Sequence, residues 1–388
     1  MKNNYHLVVI ATIVIFFLFS CHNTQNHSEP EMKPLQETLT PSSTAGPTDE
    51  LVIKDEKLDK NATVLAGLDT SNISDTNTLK VVRKLNRIWT YKTQKIIQPI
   101  QQWMKDEHIN DSIASEKLMF YPFSGPDFEF ANTFYPDADE YILCGLERSG
   151  NDSSLIFSDK LQPDSFLISA DQYFFYSNRF GFFRTLDMEK QFEKRGVIDI
   201  IAFYLKRAGA TIGMVNNFHW SPTTGELTVP DTARKANVCY FKFQLPSGKS
   251  SSLYYFRKDL SDAGLGKDSL WLQWVKKEAG NKQIVSLTKS ASYLMHTTYF
   301  SIVRNFILNH SSLHIQDDSG IDFAHLKNSG RKTTLYGSYS NVISLFKNKF
   351  QPDLKEMYHS DSSHIKSLPF RIGYNLKIGE TNLQVTYR

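Results

Sequence analysis

Residues 119–150 read MFYPFSGPDFEFANTFYPDADEYILCGLERSG, and this stretch decides the fold. An apolar run is followed by a Ser-Gly-Pro turn, a short helical segment DFEFANTF and a second apolar run EYILCGLE. This pattern predicts a strand, a turn, a helix and a strand. Units of this kind place consecutive strands in one sheet, with the helix packed against it. The stretch therefore predicts an α/β fold.

Helical segments flank this unit on both sides. The segment TLKVVRKLNRIWTYKTQKII predicts a helix, and Asp75 and Thr76 are its candidate caps. Pro99 is expected to break or kink this helix near Gln98. The segment MEKQFEKRGVIDIIAFYLKRAG predicts a further helix that ends at Gly209, and ATIGMV after it predicts a strand. Strands and helices thus alternate beyond the opening stretch.

The second half of the chain mixes hairpins with helices. Apolar and polar residues alternate through NVCYFKFQLPSGKSSSLYYFRKDL, which predicts an antiparallel hairpin or meander. The segment KSASYLMHTTYFSIVRNFILNH predicts a long helix, and its shared face comprises Tyr293, Thr297, Phe300, Val303 and Ile307. RIGYNLKIG and LQVTYR are typical of closing strands. The whole pattern predicts a mixed sheet with helices packed on it.

The amino terminus has the features of an export signal. A lysine precedes a continuous apolar run from Leu7 to Phe19, which is shorter than the roughly 20 residues of a membrane span. The tetrapeptide LFSC that follows resembles the lipobox of bacterial lipoproteins, which implies cleavage after residue 20 and lipidation of Cys21. The alternative is an ordinary signal peptide with an incidental cysteine. We predict a lipoprotein signal peptide at residues 1–20.

Residues 21–60 predict a flexible tether, because they contain too few large apolar groups to offset the entropy of ordering. The remaining residues, 61–388, predict a single large α/β domain. Two subdomains, 61–217 and 218–388, are the alternative. Lipidation would hold this domain at the bacterial cell membrane, and the residue after the cysteine favours the outer membrane facing the periplasm.

Charge and cysteine content restrict the function further. The formal net charge is +3, and the positive and negative residues are interspersed, so no basic stripe predicts nucleic-acid binding. Cys144 and Cys239 lie in apolar strand-like runs and are predicted to be free buried thiols, with a disulfide between them as the alternative.

The FSGPDF segment is the first candidate site. Ser124 and Gly125 precede a helix, and Gly125 would let a ligand approach the backbone closely. Glu147 ends the next strand, where nucleotide-binding units keep an acid for ribose hydroxyls. A dinucleotide fingerprint needs three spaced glycines, and only one is here. The alternative is a turn that leads into a helix capped by Asp127. The sequence does not identify a cofactor, which stays unknown.

The segment QDDSGID is the second candidate. Asp317 and Asp318 follow an apolar run and precede a Ser-Gly turn, so they could hold a hard cation or supply an acid of raised pKa. The alternative is an Asx turn that ends a strand. No calcium-loop spacing is met, and His310 and His314 lack the glutamate of a zinc helix, so no metal site is predicted.

The aromatic segment YFFYSNRFGFFRT is the third candidate. Phe182 and Arg184 are candidate ligand-binding residues, because aromatic faces beside arginine suit sugar rings or a partner protein. Packing in the core is the alternative explanation for so many aromatics.

Five phrases resemble segments of a group of exported bacterial proteins of uncharacterised activity: YPFSGPDF, GLE at 145–147, LYYFRKDL, QDDSGI and LPFRIGY. The resemblance implies export and carries over no catalytic residue. Two hypotheses follow. The first is a lipid-anchored envelope protein that binds an envelope protein or a glycan. The second is a Rossmann-like transferase or hydrolase whose cleft brings together Asp127, Glu147, Asp317 and Asp318.

Overall fold

The fold is of the α/β class, as predicted, with ten strands in one mixed sheet and helices packed on it. The computed structural model describes residues 55–71, 73–150, 154–183, 196–231, 236–360, 362–375 and 377–388. The predicted signal peptide and Cys21 lie outside these residues, as does Arg184. The first helix begins at Glu56, which is inside the range predicted as a tether.

The strands are β1 (Lys117–Tyr121), β2 (Glu140–Gly145), β3 (Thr211–Ser221), β4 (Glu226–Thr228), β5 (Val238–Gln244), β6 (Ser250–Arg257), β7 (Gln283–Thr288), β8 (Ser311–Gln316), β9 (Lys332–Gly337) and β10 (Asn382–Tyr387). The α-helices are α1 (Glu56–Leu65), α2 (Thr76–Lys92), α3 (Gln98–Asp106), α4 (Phe128–Phe134), α5 (Asp164–Phe180), α6 (Ile198–Arg207), α7 (Asp262–Gly266), α8 (Leu270–Ala279), α9 (Ser301–His310), α10 (Phe323–Asn328) and α11 (Pro352–Ser360).

The centre of the sheet is doubly wound. The strand order is β4-β3-β5-β6-β2-β1-β7-β8-β10-β9, and the five strands from β6 to β8 are mutually parallel. The chain moves outward from β1 to β2 and β6, then crosses back to β7 and β8 on the other side of β1. The order therefore reverses between β1 and β7. Strands β5 and β6 form the predicted antiparallel hairpin, β3 pairs antiparallel with β5, and β10 runs antiparallel to both of its neighbours.

Both faces of the central strands are buried, which is typical of parallel strands covered by helices on each side. Met119 and Tyr121 of β1 join the core beneath helices α1 to α6. Leu118 and Phe120 alternate with them and join the core beneath α7, α8 and α9. The free thiols Cys144 and Cys239 belong to these two different cores, so the prediction of free buried thiols is confirmed.

The predicted break at Pro99 takes the form of a π turn. Helix α2 begins after Asp75, whose side chain accepts a 2.7 Å hydrogen bond from the Thr78 N–H. Residues Thr93–Ile97 then form a π turn, in which the Gln98 N–H bonds to the Thr93 carbonyl. This turn places Pro99 in the first turn of α3, where a proline is tolerated.

Two predicted elements are wrong. The long helix predicted from residue 289 begins only at Ser301, because Ser290, Ser292 and Tyr293 adopt left-handed backbone conformations and short 3₁₀ turns follow them. RIGYNLKIG was expected to form a strand, but the described residues of that segment form turns. Spacing of apolar residues did not distinguish these buried turns from a helix or a strand.

Candidate functional site

The candidate site lies at the carboxyl edge of the parallel strands. The loops that follow β1, β2, β7 and β8 all begin at this edge, because these strands run in the same direction. In open α/β sheets ligands bind in the crevice outside this edge, where the strand order reverses. Here the reversal separates the loop after β1, which is FSGPDF, from the loop after β7, which is KSASY.

The FSGPDF loop is fastened to strand β2. The Gly125 N–H donates a 2.8 Å hydrogen bond to the Cys144 carbonyl, and the Cys144 N–H donates a 3.0 Å bond to the Ser124 hydroxyl. Asp127 caps α4 by accepting a 3.2 Å bond from the Phe130 N–H. The alternative of a turn that leads into a capped helix is therefore confirmed.

Asp127 also forms an ion pair across the reversal. Its Oδ2 accepts bonds from the Lys289 ammonium at 2.8 Å and from the Tyr121 hydroxyl at 3.2 Å. Lys289 lies 4.0 Å over the Phe130 ring and also donates to the Gly181 carbonyl. Both charged groups are buried. The pair therefore joins the loop after β1 to the loop after β7 beneath the surface.

A second buried ion pair lies next to the first. Lys92 of α2 donates to Glu129 of α4 and to the Ser177 carbonyl at 3.3 Å. Burial raises the pKa of Glu129, and Lys92 opposes this effect. The other carboxylate oxygen, Oε1, is buried and has no hydrogen-bond partner among the described residues. An unsatisfied buried acceptor of this kind costs stability and is unusual in a native fold.

Glu147 lies beside the FSGPDF loop. The Tyr255 hydroxyl donates to its Oε2 at 3.1 Å and to its carbonyl at 3.0 Å, and burial raises the pKa of Tyr255. A Cβ on Gly145 would collide with Oε2 of Glu147 and would lie 3.0 Å from the Gly125 Cα. Glycine at position 145 therefore allows the acid to fold back over the end of β2, close to Gly125.

The carboxylates of Asp317 and Asp318 stabilise the loop after β7 and do not line an open cleft. Asp317 accepts from the Ser290 N–H and the Ser319 N–H, each at 2.9 Å. Asp318 accepts from the Tyr293 hydroxyl at 2.6 Å and from the Asn382 amide at 2.8 Å. All four carboxylate oxygens are thus bonded within the fold. Burial first, and then the charge of Asp318, raises the pKa of Asp317 to about 7.

Backbone strain gathers at the same edge. Among the described residues, five non-glycine residues have left-handed φ angles, and four of them lie in the two loops that flank the reversal: Phe123, Ser290, Ser292 and Tyr293. Such conformations each cost about 1–3 kcal/mol and cluster at active sites and ligand clamps. The hydroxyl of Tyr374 fastens the second loop by donating a 2.7 Å bond to the Ser290 carbonyl.

The predicted site residues thus fall into groups. Ser124, Gly125 and Asp127 lie in the loop after β1, and Glu147 lies beyond the end of β2, near Gly125. Asp317 and Asp318 lie at the same edge with their oxygens bonded. The ring of Phe182 is 5.2 Å from that of Tyr374, which contacts the loop after β7. The sequence missed Lys289, Lys92, Tyr121 and Tyr374, because nothing in their local pattern indicates a partner far along the chain.

The two histidines considered above as zinc ligands lie in different elements. His314 is buried in β8, with its Nδ1 2.8 Å from the Ser286 hydroxyl, whereas His310 ends α9, so the two do not share a helix face. Within the described ranges, no group of three or more histidine, cysteine or acidic side chains could hold a metal ion.

The edge around Gly125 offers little to a phosphate. The acid Asp127 is the N-cap of α4, and the ammonium groups of Lys92 and Lys289 are already paired with carboxylates. No helix within the described part of the chain has the length and apolar character to cross a bilayer. No family model, no curated protein and no solved structure matches this chain.

Proposed function

We propose that the domain is a Rossmann-like transferase that binds a nucleoside-type ligand at the reversal between β1 and β7. The observation that carries the proposal is the strand order, with Gly125 in the loop after β1 and Glu147, 22 positions later, after β2. A conserved acid about 20 residues beyond the glycine turn bonds ribose hydroxyls in domains of this kind. Glu147 is the residue proposed for that role.

The local charges favour a nucleoside without a phosphate at this position. Asp127 lies where a Rossmann domain holds the pyrophosphate, and its carboxylate would repel one. The seven strands β6-β2-β1-β7-β8-β10-β9, with β10 reversed, have the order found in S-adenosylmethionine-dependent methyltransferases. That ligand is a phosphate-free nucleoside with a cationic sulfonium, and when bound it supplies a transferable methyl group. A shared order supports a ligand class and does not by itself establish an activity.

Calorimetric titration of the purified chain tests this proposal. S-adenosylmethionine, S-adenosylhomocysteine and adenosine are each compared with NAD⁺. We expect the phosphate-free compounds to bind more tightly than NAD⁺. Glu147→Gln should weaken them about tenfold or more, because a hydrogen bond to a charged group contributes roughly 1.5–3 kcal/mol. Glu226→Gln, at an exposed position of β4, is the matched control. Absence of binding by all four compounds would reject the nucleoside site.

As the alternative to a cytoplasmic transferase, we propose that the chain is exported and anchored by lipid at Cys21, on the periplasmic side of the outer membrane. The apolar run and the LFSC tetrapeptide support this location. Several acyl chains, at about 0.8 kcal/mol per buried CH₂, would hold a soluble domain on the membrane. An anchored domain of this kind would meet an envelope protein or a glycan as its partner. In that case the residues around Gly125 and Glu147 would bind a sugar diol in place of ribose.

Metabolic labelling with a radioactive fatty acid tests the anchor. The wild-type chain should incorporate label and partition into detergent, and Cys21→Ser should do neither. Cys239→Ser, which removes a buried thiol, is the control for the labelling chemistry. Equal labelling of the Cys21 variant would exclude the anchor. If only the wild type is labelled, fractionation of the two membranes locates the chain. The result also decides whether cytoplasmic nucleosides or envelope glycans deserve the first ligand screen.

A further inference from the structure

A basic cluster lies at the amino edge of the parallel strands, which is the edge opposite the FSGPDF loop. The cluster comprises Lys276 near the end of α8, His310 at the end of α9, Arg331 just before β9 and Arg388 just after β10. The start of β8 brings three of these residues together. The Arg331 guanidinium donates to the carbonyl of Ser311, which directly follows His310. The Arg388 N–H donates a 3.0 Å bond to the carbonyl of Ser312.

The positive charges of the basic cluster act on one another. Burial lowers the pKa of His310, and the charges of Lys276 and Arg388 lower it further. Burial also lowers the pKa of Arg331 to about 10, and the charge of Arg388 adds to that effect. No acid among the described residues opposes either of these two shifts. The four side chains therefore lie close enough together for like charges to repel.

This charge is not balanced by a neighbouring carboxylate. None of the four side chains forms an ion pair with an acid in the part of the chain that the structure describes. The carboxyl ends of α8 and α9 attract cations, which accounts for Lys276 and His310. Arg331 and Arg388 flank strands, so the helix dipoles do not account for them. A bound anion would relieve the repulsion that these cations exert on one another.

We propose that the basic cluster binds a phosphate group, carried by a small molecule or by a lipid headgroup. Lys276 and Arg388 are exposed and contact the phosphate oxygens, with the half-buried His310 beside them. Arg331 contributes its charge from beneath and makes no contact, because its Nε and Nη1 are buried. A phosphate monoester carries close to two negative charges at pH 7 and three acceptor oxygens, so it suits several cations at once. The site is independent of the nucleoside proposal, because it lies at the opposite edge of the strands.

Titration calorimetry of the full chain with inorganic phosphate and with acetate, at low ionic strength, tests the chemistry. We expect phosphate to bind about fivefold more tightly than acetate or better, because it carries nearly twice the charge, and added salt should weaken it. Flotation with phosphatidylcholine vesicles, with and without phosphatidic acid, separates the two sources. A lipid headgroup predicts flotation that increases with phosphatidic acid, and a free phosphate compound predicts no such increase. If phosphate binds no better than acetate and phosphatidic acid adds nothing, the proposal is overturned.

Substitutions at exposed positions place the binding in the basic cluster. Lys276→Gln combined with Arg388→Gln should weaken the phosphate-dependent signal about tenfold, which is about threefold for each exposed charge. Lys105→Gln is the matched control, because this exposed lysine also lies in the last turn of a helix but on the other face of the sheet, and its affinity should be unchanged. Thermal unfolding checks that both variants fold. An unchanged affinity in the folded double variant rejects the site.

Discussion

The carboxyl and amino edges of the parallel strands differ in how deeply their ion pairs are buried. At the carboxyl edge, Asp127 and Lys289 are fully buried and paired across two loops. At the amino edge, each ion pair keeps one partner in contact with water. Lys117 pairs with the half-exposed Asp137, and Lys282 is partly exposed where it meets Glu140.

The comparison also extends to the backbone. Four left-handed non-glycine residues lie in the two loops at the carboxyl edge, whereas His108, in the connection that leads to the amino end of β1, is the fifth in the described residues. Buried charge and strain both lower stability, and both accumulate at the edge where the strand order reverses. The costly features of this fold thus lie at the carboxyl edge of the strands, which is the edge where ligands bind in open α/β sheets in general.

The largest expected effect comes from breaking the buried pair. Lys289→Met leaves Asp127 buried without its cation and should lower the free energy of unfolding by about 3–5 kcal/mol. Lys249→Met is the control at the amino edge, where the ammonium lies 2.9 Å from Asp139 and both side chains are partly exposed, and it should cost less than about 1 kcal/mol. Urea denaturation at neutral pH measures both. Equal losses would remove the contrast between the edges.

The next effect concerns Glu140, a buried acid at the amino edge. Burial, and then the charge of Glu278, raises the pKa of Glu140 to about 8, against an ordinary value near 4.5. The folded state thus holds this proton more tightly than the unfolded state does. Its contribution is complete below about pH 4.5 and is lost as the pH rises through 8.

Glu140→Gln removes this titration. The difference in unfolding free energy between wild type and variant should therefore favour the variant increasingly from pH 5 to pH 9. Denaturant titrations at several pH values measure it. Asp317, at the carboxyl edge, has a raised pKa of about 7 and titrates in both proteins, so it cancels in the difference. A difference that does not change with pH would show that Glu140 is ionised in the folded protein.

The smallest of the three effects tests close packing at the carboxyl edge. Gly373→Ala would bring a Cβ against Oδ2 of Asp317, whereas Gly379→Ala would meet nothing within 4 Å. Both glycines have positive φ, +73° and +91°, so the backbone penalty is matched. We expect Gly373→Ala to cost about 1–3 kcal/mol more than the control. Thermal unfolding measures the pair, and equal midpoints would mean that the loop around Asp317 adjusts freely.

Local chemistry made the opening unit predictable. Asp127 precedes an aromatic-rich helix and follows a Ser-Gly-Pro turn, and each of these features acts within four residues. Asp75 likewise marked the start of α2. The α/β class followed from the same alternation of strands and helices.

The rest depended on residues that are distant in the sequence. Lys289 forms an ion pair with Asp127, which lies 162 positions away in the sequence. Lys92 forms one with Glu129, which lies 37 positions away. Neither lysine differs locally from a solvent-exposed one. Tyr293 fits a helical spacing, yet its left-handed backbone is imposed by bonds to Asp318 and by its neighbours in the loop. Hydrogen bonds and ion pairs between residues far apart in the sequence determine the conformation at these positions.

The position of β10 constrains the order in which the chain can fold. It is the last of the ten strands to be synthesised, yet it lies between β8 and β9 and pairs with both. Until residues 382–387 emerge, β9 lacks its ladder partner and one side of β8 is open. Closing contacts of such high sequence separation slows folding and leaves strand edges exposed to other chains. A chain exported before it folds would need this strand protected until release is complete.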